Sequence, residues 1–117
     1  MGSKGLSRRA ADVIHRGGNH YSHATLWELA IKSALQKVHL ILDGERRTAR
    51  DFMLAIAARL QLAPLPIEFD DISAVELLPW YHRDPFDRLL AVQARRRGMP
   101  IVSSDPVFED YGVKRIW

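Results

Sequence analysis

The sequence predicts an α/β fold with a largely parallel sheet, and three observations carry that prediction. Short apolar runs with strand character alternate with longer segments whose apolar residues recur at helical spacing. Two helices open on an Asp-Pro pair, Asp84-Pro85 and Asp105-Pro106, the second directly after the strand-like run PIVSS. The chain has 117 residues, 47% hydrophobic and 26% charged, without repeats or linker-like tracts. That is enough for one core, so a single domain over residues 1–117 is expected.

The elements follow in order. Ser7 can cap a helix through RRAADVIHR, with Ala10, Val13 and Ile14 on one face and Gly17-Gly18 ending it. HYSHA is a short strand. TLWE, Thr25 to Glu28, fits a capping box opening the helix LWELAIKSALQK. A polar loop around Asp43-Gly44-Glu45 leads to a third helix, Thr48 to Leu62, whose buried face is assigned to Phe52, Leu54, Ile56, Ala57 and Leu60. APLPI reads as a strand at a sheet edge, where prolines are tolerated. DDISAVELL is a short helix and PWYHRD an exposed turn. DPFDRLLAVQARRRG is a helix with aspartate at N-cap and proline at N1; PIVSS, DPVFEDY and VKRIW then read as strand, helix and strand. Residues 1–5, MGSKG, read as vector-derived or disordered sequence.

Bulk composition narrows the function. No apolar run approaches the roughly 18 residues a membrane span needs, and the N-terminus lacks the apolar stretch of a signal peptide, so no membrane partner and a cytoplasmic location are expected. With no cysteine, any metal must be held by oxygen or imidazole, which points to a hard ion. Seventeen Lys and Arg against fourteen Asp and Glu give +3, with clusters at Arg8-Arg9, Arg46-Arg47 and Arg95 to Arg97. Such clusters can neutralise phosphates, yet a charge of this size also merely keeps a domain soluble, and cations before Gly98 suit a helix C-terminus.

The acids are the informative residues. Glu28, Asp84 and Asp87 fall in expected first turns of helices, and Asp105 at a helix start after a strand. In an open α/β sheet those starts lie along one edge, where such folds place their sites. Capping explains each acid singly. Asp87 is not needed for capping if Asp84 caps, and several acids on one edge repel one another unless a cation offsets them. Oxygen ligation of this kind suits Mg²⁺ or Mn²⁺, and the chemistry such an ion supports is phosphodiester hydrolysis. His82 and Arg83, just ahead of Asp84, are candidates for phosphate contact or proton donation, or else solvent-facing turn residues.

The run HRDPFDRLLAVQARRRGMPIVSSDPVFEDYGVKRIW, with YSHATLWELAIKSALQKV and LPI, resembles the PIN-domain toxins of VapC type, the ribonuclease half of bacterial toxin-antitoxin pairs. The resemblance covers Leu6 to Trp117 and implies a three-layer α/β/α sandwich, a Mg²⁺ or Mn²⁺ cofactor, RNA as substrate and an antitoxin partner. It makes Glu28, Asp87 and Asp105 catalytic metal ligands, with Asp84 a further metal candidate. Ser22, Thr25 and Ser103 match positions where the family has small hydroxyl residues beside the site, so these join His82 and Arg83 as candidate substrate contacts.

One departure from the family matters. PIN domains open with a hydrophobic central strand ending in a metal-binding aspartate, and no such segment stands ahead of Glu28; Asp12 falls inside a helix. Backbone groups left unpaired by a missing strand cost roughly 1 to 3 kcal/mol each when buried, against a total stability of about 5 to 15 kcal/mol. A homodimer or higher oligomer that supplies pairing, and weakened or absent activity, are therefore expected. The alternative is a non-catalytic PIN-like module that self-associates or docks an antitoxin helix on the second and third helices. A receiver-type anion binder is disfavoured, because no aspartate ends a central strand.

Overall fold

The computed structural model describes residues 5–117, and the reading of residues 1–4 lies outside them. The elements run α1 (Arg8–Arg16), β1 (His20–Ser22), α2 (His23–Ala34), β2 (Ile41–Leu42), β3 (Glu45–Arg46), α3 (Ala49–Leu60), β4 (Ala63–Leu65), α4 (Phe69–Ala74) with a 3₁₀ turn at Val75–Leu77, α5 (Pro85–Arg97), β5 (Ile101–Val102), α6 (Val107–Asp110) and β6 (Arg115–Ile116). They form an α/β fold with parallel strand pairs, divided into two compact units: Gly17–Pro66, and the residues up to Arg16 together with Ile67–Trp117. Among the described residues no strand precedes α1, and no helix is long and apolar enough to cross a membrane.

In the unit Gly17–Pro66, β1 pairs in parallel with β4, matching Tyr21 to Pro64 and Ser22 to Leu65. The strands are short because Pro64 brings no N–H to the ladder. Ser22 ends the strand and caps α2: its Oγ accepts from the Ala24 N–H at 3.0 Å. This corrects the capping box expected at Thr25 to Glu28. SHAT offers two hydroxyl caps, and Ser22 takes the role, which makes Thr25, three residues on, the third residue of α2. The expected loop at Asp43-Gly44-Glu45 is instead a hairpin, β2 against β3. Both central residues have positive φ, Asp43 at 54° and Gly44 at 77°, the backbone that Asp-Gly favours between twisted antiparallel strands.

Helix α3 starts where the sequence indicates. Thr48 Oγ1 accepts from the Asp51 N–H at 3.1 Å, and Gln61 ends the helix in the left-handed region. Its buried residues are Ala49, Met53 and Ala57, at spacings of four. Of the face assigned from sequence, Leu54 and Leu60 are exposed. Three residues repeating every fourth position mark the stripe that packs, and small alanines within it permit close approach to α2.

The second unit is organised by α5. Leu78, Ala91, Val92, Ala94, Phe108, Tyr111 and Val113 form its core, and β5 pairs in parallel with β6. At the C-terminal end of α5 the side chain of Asp71, fully buried, accepts from Arg97 at 2.9 and 3.0 Å, from Arg96, and from the Glu68 N–H at 2.9 Å in a capping box that starts α4. Arg96 and Arg97 thus fasten α4 to α5. Gly98 closes α5 at a φ of 62°, a conformation glycine adopts without the Cβ penalty.

Candidate metal centre

The stretch HRDPFDRLL builds the N-terminal end of α5. Asp84 stays extended, with φ −63° and ψ 115°, and its Oδ1 accepts from the Phe86 and Asp87 N–H groups at 2.8 and 3.2 Å. Pro85 follows at the one position where a missing N–H costs nothing. Asp84 Oδ2 has no hydrogen-bond partner among the described residues. Asp87 lies in the first turn of the helix, and its Oδ2 stands 2.9 Å from His82 Nε2. An ionised carboxylate can only accept, so Nε2 carries the hydrogen. One ligand atom from each of His82, Asp84 and Asp87 falls within 4.8 Å of the others, and all three residues are half-buried. The N-terminus of a 13-residue helix favours negative charge there.

What holds His82 in place is invisible to spacing rules. Arg88, only 2% exposed, turns away from the acids and donates to four main-chain carbonyls: Pro79 at 2.8 Å, Leu78 at 3.0 Å, Val75 at 3.1 Å and His82 itself at 3.4 Å. Its guanidinium also stacks 3.8 Å from the centroid of the Trp80 ring. The phenol of Tyr111 donates to the His82 carbonyl at 3.4 Å, and its ring meets that of Tyr81. The connection from α4 to α5 is the exposed turn expected, with Pro79, Trp80, Tyr81 and Arg83 exposed, and it is pinned from beneath by a buried cation. Neutral carbonyls around both terminal nitrogens make burial of that charge tolerable, while Nε is buried without a partner among the described residues.

The other candidates have local partners. The Asp105 N–H donates to Ser103 Oγ at 3.1 Å, and Asp105 Oδ1 accepts at 3.0 Å from the N–H of Val107, the first residue of α6. Arg115 donates to the Ser103 and Ser104 carbonyls. Asp105 is not among the three residues that converge at α5. Glu28 belongs to the unit Gly17–Pro66 and lies in the second turn of α2, not the first, because the helix begins at His23; its Oε2 is 2.9 Å from Lys32 Nζ. Thr25 sits half-buried in the first turn of α2, and Arg83 is exposed with no ion pair among the described residues. Each acid thus has a nearby offset to its charge, whether cap or partner, so repulsion among them is weaker than the bare sequence suggests.

A family model described as PIN domain matches residues 3–114. The chain belongs to the PIN-domain family. No curated protein and no solved structure matched it. PIN domains are generally nucleases and typically bind divalent metal ions. The residues present fit such an ion: two carboxylates with an imidazole beside them, without a thiolate, suit a hard to borderline divalent metal. Asp84 brings an oxygen that capping leaves unused, at the end of the helix where the backbone dipole favours negative charge.

Proposed function

We propose that this PIN domain is a metal-dependent endoribonuclease of the VapC toxin type, one half of a toxin-antitoxin pair acting in the cytoplasm. The observation that carries the reading is the convergence of His82, Asp84 and Asp87 at the start of α5 in a chain matched to the family almost end to end. Asp84 and Asp87 would hold Mg²⁺ or Mn²⁺, with Asp105 as the third acid implied by the resemblance. Such an ion, when bound, makes hydroxide available near neutrality and stabilises charge developing on the phosphate. Exposed Arg83, next in sequence to Asp84, meets the incoming phosphodiester.

A second reading, a PIN-like module that binds rather than cuts, has an observation of its own. Trp27 and Ile31 on α2 and Leu35 at its C-cap lie at helical spacing and are 54%, 39% and 59% exposed. An apolar stripe of this kind suits an amphipathic antitoxin helix or a second copy of the chain. Calorimetric titration with Mn²⁺, run beside cleavage of a fluorescent single-stranded RNA, separates the two. The nuclease reading expects a binding heat, slow cleavage stopped by chelator, and at least about a 10-fold weaker Mn²⁺ affinity in Asp87→Asn. No heat from either protein would leave the binding module standing.

A further inference from the structure

Sequence alone casts His82 as a residue for the substrate; the geometry points to a different task. We infer that His82 is a positioning residue for Asp87, and that the cradle of Arg88, Trp80 and Tyr111 exists to set where its ring lies. The inference rests on the metal-site reading above and adds a role the acids alone do not contain. A carboxylate at a helix start can swing about its last side-chain torsion, which is broad for aspartate. The contact from His82 Nε2 to Asp87 Oδ2, at 2.9 Å, removes that freedom and so fixes the direction in which Oδ1 points.

A ring can only do this if its own backbone is fixed. The His82 carbonyl receives two donors, Arg88 Nη1 and the Tyr111 hydroxyl, while the same guanidinium grips Val75, Leu78 and Pro79 and rests on Trp80. Arg88 and Asp87 are adjacent on α5, so one turn of helix both presents the acid and anchors the residue that orients it. Partners of this kind around a metal ligand typically change metal affinity about 10- to 100-fold.

The test uses Mn²⁺ titration followed by electron paramagnetic resonance on the whole chain, with thermal midpoints as a control for folding. His82→Ala is expected to keep the wild-type midpoint, since the side chain is partly exposed, and to bind Mn²⁺ about 10- to 100-fold more weakly. His82→Gln, which returns an N–H at similar reach, is expected to recover part of that loss. Pulsed measurements on the wild type are expected to lack the nitrogen coupling of a directly bound imidazole. Wild-type affinity in His82→Ala, or equal loss in both variants, overturns the positioning role and leaves the metal site intact. A direct nitrogen coupling overturns it too, by making the ring a ligand. Absence of Mn²⁺ binding in the wild type sinks the metal-site reading, and this inference with it.

Discussion

At its C-terminal end α5 sets Arg96 and Arg97 against Asp71, which is fully buried, and against Glu68, with Arg97 Nη2 at 2.8 Å from Glu68 Oε1. At its N-terminal end the same helix sets Asp84 and Asp87 beside a half-buried histidine, and one oxygen of Asp84 is left without a donor among the described residues. Both arrangements agree with the helix dipole. They differ in closure. The basic end is closed at Arg96 and Arg97: these two charges are matched by Asp71 of α4 and by Glu68 at its N-cap, and they tie two helices together. The acidic end keeps an oxygen of Asp84 that no protein donor occupies among the described residues. Charge at the first end serves folding, and charge at the second is available to a ligand.

Breaking the closed end should give the largest effect. Asp71→Ala leaves two arginines without their acid, and because both keep some access to water the loss falls at the lower end for broken buried pairs, about 3 kcal/mol. Urea unfolding measures it. The same site sets the acid response. Burial alone would raise the Asp71 carboxyl, but the hydrogen bonds from Arg97, the Glu68 amide and Arg96 outweigh that and hold it well below the usual carboxylate range. The folded pKa is thus lower than the unfolded one, so the unfolded chain binds the extra proton and stability rises with pH across the interval between them. The contribution is complete above the ordinary carboxylate value near about 4 and drains away as pH falls toward the depressed folded value. The gap in unfolding free energy between wild type and Asp71→Asn should therefore shrink as pH is lowered from about 7 to about 3; a gap independent of pH would refute the assignment.

The open end can be taken apart more finely, because Asp84 combines a structural and an electrostatic role. Asparagine caps as well as aspartate, so Asp84→Asn should unfold within a few tenths of a kcal/mol of wild type, whereas Asp84→Ala loses about 1 kcal/mol. Both remove the same charge and the same ligand oxygen, and both should weaken Mn²⁺ binding alike. If Asp84→Asn binds Mn²⁺ as wild type does, Asp84 is a cap and nothing more, and the contrast between the two ends of α5 narrows to Asp87.

Much of this could be read from the sequence, and the part that could not has a common cause. The Ser7 and Asp84 caps, the Asp84-Pro85 helix start and the β4 strand with Pro64 follow from chemistry confined to a few neighbouring residues, and they stand as expected. The hairpin at Asp43-Gly44 carried a local signal too, obscured because its strands are only two residues long. Competition between Ser22 and Thr25 for one cap moved Glu28 a turn deeper into α2 than expected. Arg88 and Asp71 were out of reach: a charged residue in a helical pattern reads as solvated surface, and only partners contributed by segments elsewhere in the fold, the carbonyls of 75–82 and the two arginines, make its burial affordable. The presence of acids at α5 and the candidacy of His82 were legible, while the buried Arg88 that pins the turn before them was not.

Arginines provide the gentlest probe of the same contrast. Arg83, beside Asp84, is exposed and makes no ion pair among the described residues, so its charge is available to a phosphate; Arg96 is already engaged by Asp71 and Glu68. On a single-stranded nucleic acid each neutralised phosphate contributes about 0.7 to the slope of log affinity against log salt. Arg83→Ala should lower that slope by about this amount, with stability changed by less than about 0.5 kcal/mol. Arg96→Ala should do the reverse, costing stability while leaving the salt slope in place. RNA binding by fluorescence anisotropy at several salt concentrations, paired with urea unfolding, distinguishes them. Equal slopes for Arg83→Ala and wild type would mean that RNA does not approach along this end of the helix, and the acids there would then need a different anionic substrate to act on.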